Sequence, residues 1–262
     1  MSARVAVVLF PGTNSEAETQ RALGAAGIEA EIVHWSRGSA ALRAFDAFVL
    51  PGGFAYEDRV RAGAVAAHDE VMDAVIEGAQ AGKFVIGICN GAQVLLEAGL
   101  VPGTGPLRRP TAAFAHNAGG KFLSLHVHVR LAIPAQRLPI LAGLPDDAIV
   151  PAWASHGEGR LAATNDELDA IERDGHAAFV YCDVHGRKVE PRNGSARSIA
   201  ALTNRAGNVL AIMPHPERDA WTFMHRDGDV RRAAARGDAA AMLAPSGGMV
   251  FFDAFARALG VR

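Results

Sequence analysis

Short apolar runs alternate with amphipathic stretches through the first hundred residues of the chain. Val5 to Phe10, Ala30 to Val33, Ala47 to Leu50 and Phe84-Val85-Ile86 are brief and continuously apolar, the pattern of strands buried on both faces. Between them, Glu16 to about Ala26 and Val65 to Ala81 carry helical spacing, with Ser15 in the position of an N-cap. Strand and helix in alternation predict a parallel sheet covered by helices. Past Gly99 the chain is punctuated by proline and glycine. It then resumes apolar segments near Phe122 to Val129, Phe179 to Cys182, Ile199 to Thr203 and Val209 to Met213, and ends on a helix near Met249 to Leu259. This half reads as more antiparallel. The expected fold is α/β, an open and mostly parallel sheet flanked by helices, with a smaller antiparallel portion in the second half. No repeat or linker divides the chain, so residues 1–262 are read as one domain.

In sheets of this kind the loops after the carboxyl ends of the strands line the ligand crevice. Pro11-Gly12-Thr13-Asn14, Pro51-Gly52-Gly53-Phe54, Gly87-Ile88-Cys89-Asn90-Gly91 and Pro214-His215-Pro216-Glu217 all follow predicted strands, and they should converge on one face. The third carries chemistry. A cysteine with a glycine two residues to either side, between a strand and a helix expected to begin near Gln93, sits on a sharp turn that exposes its sulfur. The helix N-terminus behind it favours thiolate. An imidazole and a carboxylate two residues apart at the end of the last strand can point toward the same site. Cys89, His215 and Glu217 are therefore a candidate nucleophile, base and orienter. His156 and Glu158 form a second His-x-Glu pair, and the residues alone do not choose between the two.

Composition narrows the partners. With 26 Lys plus Arg against 28 Asp plus Glu, the net charge of −2 gives no reason to expect nucleic acid or an anionic membrane. The apolar run after Met1 is too short for a signal peptide or a membrane span, so a cytoplasmic location is expected, where Cys89 and Cys182 stay free. Cys182 has no glycine elbow and reads as packing. The turn Pro102-Gly103-Thr104-Gly105 lacks the lysine and spacing of a phosphate loop. His126 and His128 share a strand face with His116 nearby, but no carboxylate or cysteine at suggestive spacing completes a ligand set, and no metal is expected.

Six segments, in order, resemble a known family: Phe10-Pro11-Gly12-Thr13-Asn14; Pro51-Gly52-Gly53-Phe54 with Arg61-Ala62-Gly63; Gly87 to Gly91 with Gln93; His156-Gly157-Glu158-Gly159-Arg160; Asn193-Gly194-Ser195; and Met213-Pro214-His215-Pro216-Glu217-Arg218. They are similar to the class I glutamine amidotransferases, flavodoxin-like in fold, and within them to the glutaminase subunits of phosphoribosylformylglycinamidine synthase. The resemblance implies that Cys89 attacks the carboxamide of L-glutamine, that His215 and not His156 is the base, and that Glu217 holds its ring. It further implies an oxyanion hole from the backbone N–H groups of Gly53 and Asn90, and substrate contacts from Gly53, Phe54 and Gln93. Ammonia would pass to a synthetase subunit, PurL, in a complex with a small subunit, PurS; ATP and magnesium belong to that partner, with no cofactor in this chain. Other implied readings are an amidotransferase for a different acceptor and a non-catalytic regulatory relative. The chain departs from the family at Ala92, Glu57 and Arg59, and in a longer stretch at about 226–248. There Arg231, Arg232 and Arg236 read either as a solvated helical face or as a docking surface for the synthetase.

Overall fold

The computed structural model describes residues 3–225 and 234–261. Eleven strands are present among them: β1 Arg4–Leu9, β2 Glu29–His34, β3 Ala47–Leu50, β4 Phe84–Ile88, β5 Ala113–Ala115, β6 Leu123–Leu131, β7 Ile149–His156, β8 Arg160–Ala162, β9 Ala177–Cys182, β10 Ile199–Thr203 and β11 Val209–Ile212. Nine form one sheet in the order β2-β1-β3-β4-β11-β10-β9-β6-β7, and β5 pairs with β8 apart from it. The first five of that order run parallel. From β11 onward each neighbour is antiparallel, so the second half of the chain extends the same sheet. Val5 to Val8 and all of β3 and β11 are buried, which accounts for their unbroken apolar sequence.

Helices α1 Glu16–Ala25, α2 Gly38–Leu42, α3 Val71–Gln80, α4 Asn90–Glu97 and α5 Asn165–Arg173, with a last helix Met249–Ala258, pack around the sheet. Every residue of α4 is buried, as expected of a helix running from the sheet centre under the surface loops. α5 begins with a capping box, Thr164 and Glu167 each bonding the other's backbone.

Two boundaries differ from expectation. The pattern from Val65 is broken: Ala66–His68 is a single 3-10 turn, Asp69 is extended, and its carboxylate accepts from the Val71 N–H at 2.9 Å, so the helix restarts at Val71. Ser15 precedes α1, but its hydroxyl makes no cap bond. It accepts instead from Arg218 at 2.9 Å.

One hydrophobic cluster runs from Val5 to Ala256. Among the described residues no helix is long and apolar enough to cross a membrane. Of the long stretch after the His-Pro-Glu segment, Arg226, Arg231 and Arg232 lie outside the described residues; Arg236 is exposed.

Candidate active site

The centre of the sheet carries the candidate nucleophile. β4 ends at Ile88, and Cys89 turns the chain into α4 with φ 52° and ψ −108°, left-handed backbone that costs about 1–3 kcal/mol in a residue with a side chain. The helix therefore starts at Asn90, three residues before its expected beginning. Both flanking glycines are steric necessities: a Cβ on Gly91 would run into the Leu50 carbonyl of β3, and one on Gly87 would lie 2.5 Å from the Gly91 oxygen. The Cys89 N–H donates to the Ile212 carbonyl at 2.8 Å, fastening the elbow to β11. The elbow does not expose Cys89 as expected. The residue is only 5% accessible, its sulfur 3.7 Å from the Ser155 carbonyl, and it lines a pocket.

His215 comes to that pocket from the end of β11. Its backbone exchanges hydrogen bonds with Trp153, at the edge of β7, at 2.8 and 3.1 Å. Its Nδ1 lies 2.5 Å from Glu217 Oε1, both side chains buried, which leaves the other edge of the ring for the Cys89 side chain. Burial opposes a charged imidazole here, but the Glu217 carboxylate and Cys89 outweigh it and push His215 up to about 10. The surroundings thus favour the charged form of the ring beside the sulfur. Gly52 makes room for it: a Cβ there would lie 2.5 Å from His215 Cε1 and 3.4 Å from Cys89 Cβ. Nothing in the sequence pattern distinguished Gly52 from Gly53.

The other His-x-Glu pair is not a pair in space. His156 Nδ1 meets Asn117 Oδ1 at 3.1 Å, while the Glu158 carboxylate lies 3.6 Å from His116 Nδ1. Burial, with the neighbouring His215 charge, pushes His156 down to about 4, so it is neutral at pH 7.

Gly53 follows at φ 155°, where a Cβ would lie 2.6 Å from Thr13 Cα and 2.7 Å from the Gly12 carbonyl. The glycine is thus required by the loop behind it, and not only by the open approach of a substrate in front. Among the described residues, neither the Gly53 nor the Asn90 backbone N–H donates to another protein group. The next turn is strained: Tyr56, Glu57 and Asp58 all have φ between 51° and 59°. Each such residue costs roughly 1–2 kcal/mol. Glu57, one of the departures from the family named above, is one of the three. Tyr56 N–H donates to the Pro11 carbonyl at 2.7 Å, the Tyr56 hydroxyl donates to Asp69, and Arg61 grips Glu97 with two 2.5 Å contacts.

Of the expected substrate contacts, Gly53, Phe54 and Gln93 all line the pocket. Phe54 stands half exposed at the rim, whereas the Gln93 amide is engaged at both ends, donating to the Glu158 carbonyl at 2.6 Å and accepting from Asn90 Nδ2 at 2.9 Å. Asp58 also lines the pocket and was not singled out. Burial pushes its carboxyl up to about 6 against the lowering effect of an Asn90 hydrogen bond.

The histidines of β6 do find a carboxylate, contrary to expectation. Buried Asp219 accepts from His126, from His225 Nδ1 at 2.7 Å and from Ser246 at 3.0 Å. His126, Asp219 and His225 thus bring three potential ligand atoms together, joined here by hydrogen bonds. Asp219 was missed because it lies 93 positions from His126. His116 is not part of the cluster. Cys182 is buried as expected, and that burial pushes its thiol up to about 11.

The family model for CobB/CobQ-like glutamine amidotransferase domains matches residues 2–242. The subunit PurQ of phosphoribosylformylglycinamidine synthase from Thermus thermophilus is 41% identical over 216 residues, covering 82% of this chain and 89% of that protein. PurQ of Thermomicrobium roseum is 38% identical over 235 residues, covering 88% and 94%. The structure of PurLQS from Thermotoga maritima aligns with a TM-score of 0.73 at 28% identity, covering 98% of this chain and 99% of the matched one. With the family model matching residues 2–242 and these relatives covered over more than four-fifths of their length, the chain belongs to the glutamine amidotransferase family, in the branch of the PurQ subunits.

Proposed function

We propose that this chain is the glutaminase subunit of phosphoribosylformylglycinamidine synthase, with Cys89 as nucleophile, His215 as proton carrier and Glu217 as its orienter. The observation that carries the reading is the buried His215–Glu217 pair, 2.5 Å apart, set against the Cys89 elbow. The sulfur attacks the carboxamide carbon of L-glutamine, and the carbonyl oxygen gains negative charge. The Gly53 and Asn90 N–H groups receive it; one such donor is worth ~2.7–4 kcal/mol of transition-state stabilisation. The imidazolium gives its proton to the departing ammonia, leaving a glutamyl thioester. The neutral ring then takes a proton from water, which adds to the thioester through a second oxyanion and releases glutamate. Gly53, Phe54 and Gln93 shape the glutamine site.

No step asks for a cofactor in this chain. Ammonia goes to PurL, assembled with PurS, where ATP and magnesium drive amidation of formylglycinamide ribonucleotide in purine synthesis. The matched Thermotoga maritima assembly supports these partners. We assign the chain one domain and a cytoplasmic location, and the exposed Arg236 region remains a candidate face for PurL. Glutamine hydrolysis measured with and without PurL and PurS, in the parent and in Cys89→Ala, tests the reading. Activity that survives in Cys89→Ala, or that never feeds PurL, would refute it.

A further inference from the structure

The Asn90 side chain is used by no step above, yet it is buried and makes three hydrogen bonds in three directions. Its Oδ1 accepts from the Ala55 N–H at 2.9 Å, and its Nδ2 donates to Asp58 Oδ1 at 2.9 Å and to Gln93 Oε1 at 2.9 Å. Gln93 passes the connection on, donating to the Glu158 carbonyl at 2.6 Å. One amide thereby joins the nucleophile elbow, the turn after Gly53 and the 156–160 loop. Tyr56, Glu57 and Asp58, at positive φ, lie within the span that Ala55 and Asp58 bracket, so bonds from outside must hold that turn. Behind Gly53 the turn is held by Phe54 N–H on the Gly12 carbonyl at 2.9 Å and by Tyr56 N–H on Pro11. Toward Cys89 it is held by Asn90. The chemistry is specific: the position needs one acceptor and two donors on a short stem, which aspartate and serine do not supply and glutamine would overshoot.

We propose that the Asn90 side chain is a positioning residue for the oxyanion contact, fixing the Gly53 N–H relative to the sulfur while its own backbone N–H supplies the second donor. The proposal rests on the glutaminase reading. It is tested in the assembled complex with PurL and PurS, using Asn90→Ala and Asn90→Asp. Because variants of the buried Asn90 can fail to fold, the half-buried end of the connection is tested in parallel with Asp58→Ala and Asp58→Asn. Three quantities are read: kcat, KM for glutamine, and the rate at which iodoacetamide alkylates Cys89, a reaction at saturated carbon that forms no oxyanion.

Both Asn90 variants are expected to lose about 10- to 100-fold in kcat, with KM and the alkylation rate within about threefold of the parent. Asp58→Asn, which keeps an acceptor for Nδ2, is expected to recover most of the turnover that Asp58→Ala loses. An unchanged kcat in Asn90→Ala, an alkylation rate that falls in step with kcat, or equal losses in the two Asp58 variants would each overturn the proposal. Hydrolysis persisting in Cys89→Ala is a separate failure, of the glutaminase reading itself.

Discussion

Gly52→Ala reaches the proposed catalytic pair without changing either of the proposed catalytic side chains. Gly52 is not at positive φ, so an alanine there meets no backbone penalty and its effect is purely steric. The new Cβ would lie 2.5 Å from His215 Cε1, 3.3 Å from Ser15 Oγ and 3.4 Å from Cys89 Cβ. Carbon atoms rest about 3.5–4.0 Å apart, so roughly 1 Å must be yielded. The ring is the wrong group to yield it, pinned through Nδ1 to Glu217 at 2.5 Å and through its backbone to Trp153. If the ring moves, its aim at Cys89 goes with it, and a misplacement of about 1 Å costs on the order of 100-fold in rate, or about 2.7 kcal/mol. Overpacking of this kind also costs ~1–3 kcal/mol of stability. Steady-state hydrolysis in the assembled complex, read beside thermal melting, measures both. Gly24→Ala is the control, because it lies in α1 with nothing within 4 Å of the added carbon. It should keep its turnover and melt no lower than the parent. A Gly52→Ala protein with kcat within about twofold of the parent would refute the steric reasoning, since the imidazole would then tolerate a shift of that size.

Local pattern carried what local forces decide. Ala47–Leu50 and Ile199–Thr203 fall on the expected residues because strands buried on both faces are nearly all apolar, the Thr203 hydroxyl being satisfied by the Val209 carbonyl at 2.8 Å. The convergence of four loops on one face followed from the parallel order of β1, β3, β4 and β11. What the pattern missed was decided by contacts between distant residues. The helical spacing from Val65 is real, but Asp69 diverts it by capping Val71 and taking the Tyr56 hydroxyl. Two adjacent glycines look alike in sequence, yet Gly52 is bounded by the imidazole and Gly53 by the loop at Thr13. The two His-x-Glu pairs were equivalent on paper. Only the fold turns Glu217 onto His215 and Glu158 onto His116. A resemblance to a family selects the later pair, and the physical ground for that choice lies in where each carboxylate ends up.

The same geometry sets the remaining expectations. Cys89→Ala should abolish hydrolysis while the synthetase still runs on added ammonium; residual glutaminase activity above a trace would refute the assignment. His215→Ala should be nearly as damaging and His156→Ala far less so, with Glu217→Gln between them, since it removes charge but can keep the ring oriented; an inactive His156→Ala beside an active His215→Ala would reverse the choice of base. Adding PurL, PurS and their substrates should raise kcat more than it lowers KM, because the oxyanion contact is made in the transition state, and full turnover by the chain alone would contradict this. The last expectation concerns His156, held neutral with its pKa lowered to about 4 by burial and by His215. Between pH 6.5 and 4 the unfolded chain binds a proton that the native state refuses, so stability falls as pH falls, by about 2 kcal/mol between pH 6.5 and 5. His215, raised to about 10, contributes stability that is complete well below pH 6.5 and lost as pH rises through 6.5 toward 10, so across pH 5–7 it acts weakly in the opposite sense, adding to stability as pH falls. Thermal melts of the parent and of His156→Asn across pH 5–7 separate the two: the variant should lose much of the acid-side slope, and an identical slope in both would mean that His156 is not the group refusing the proton.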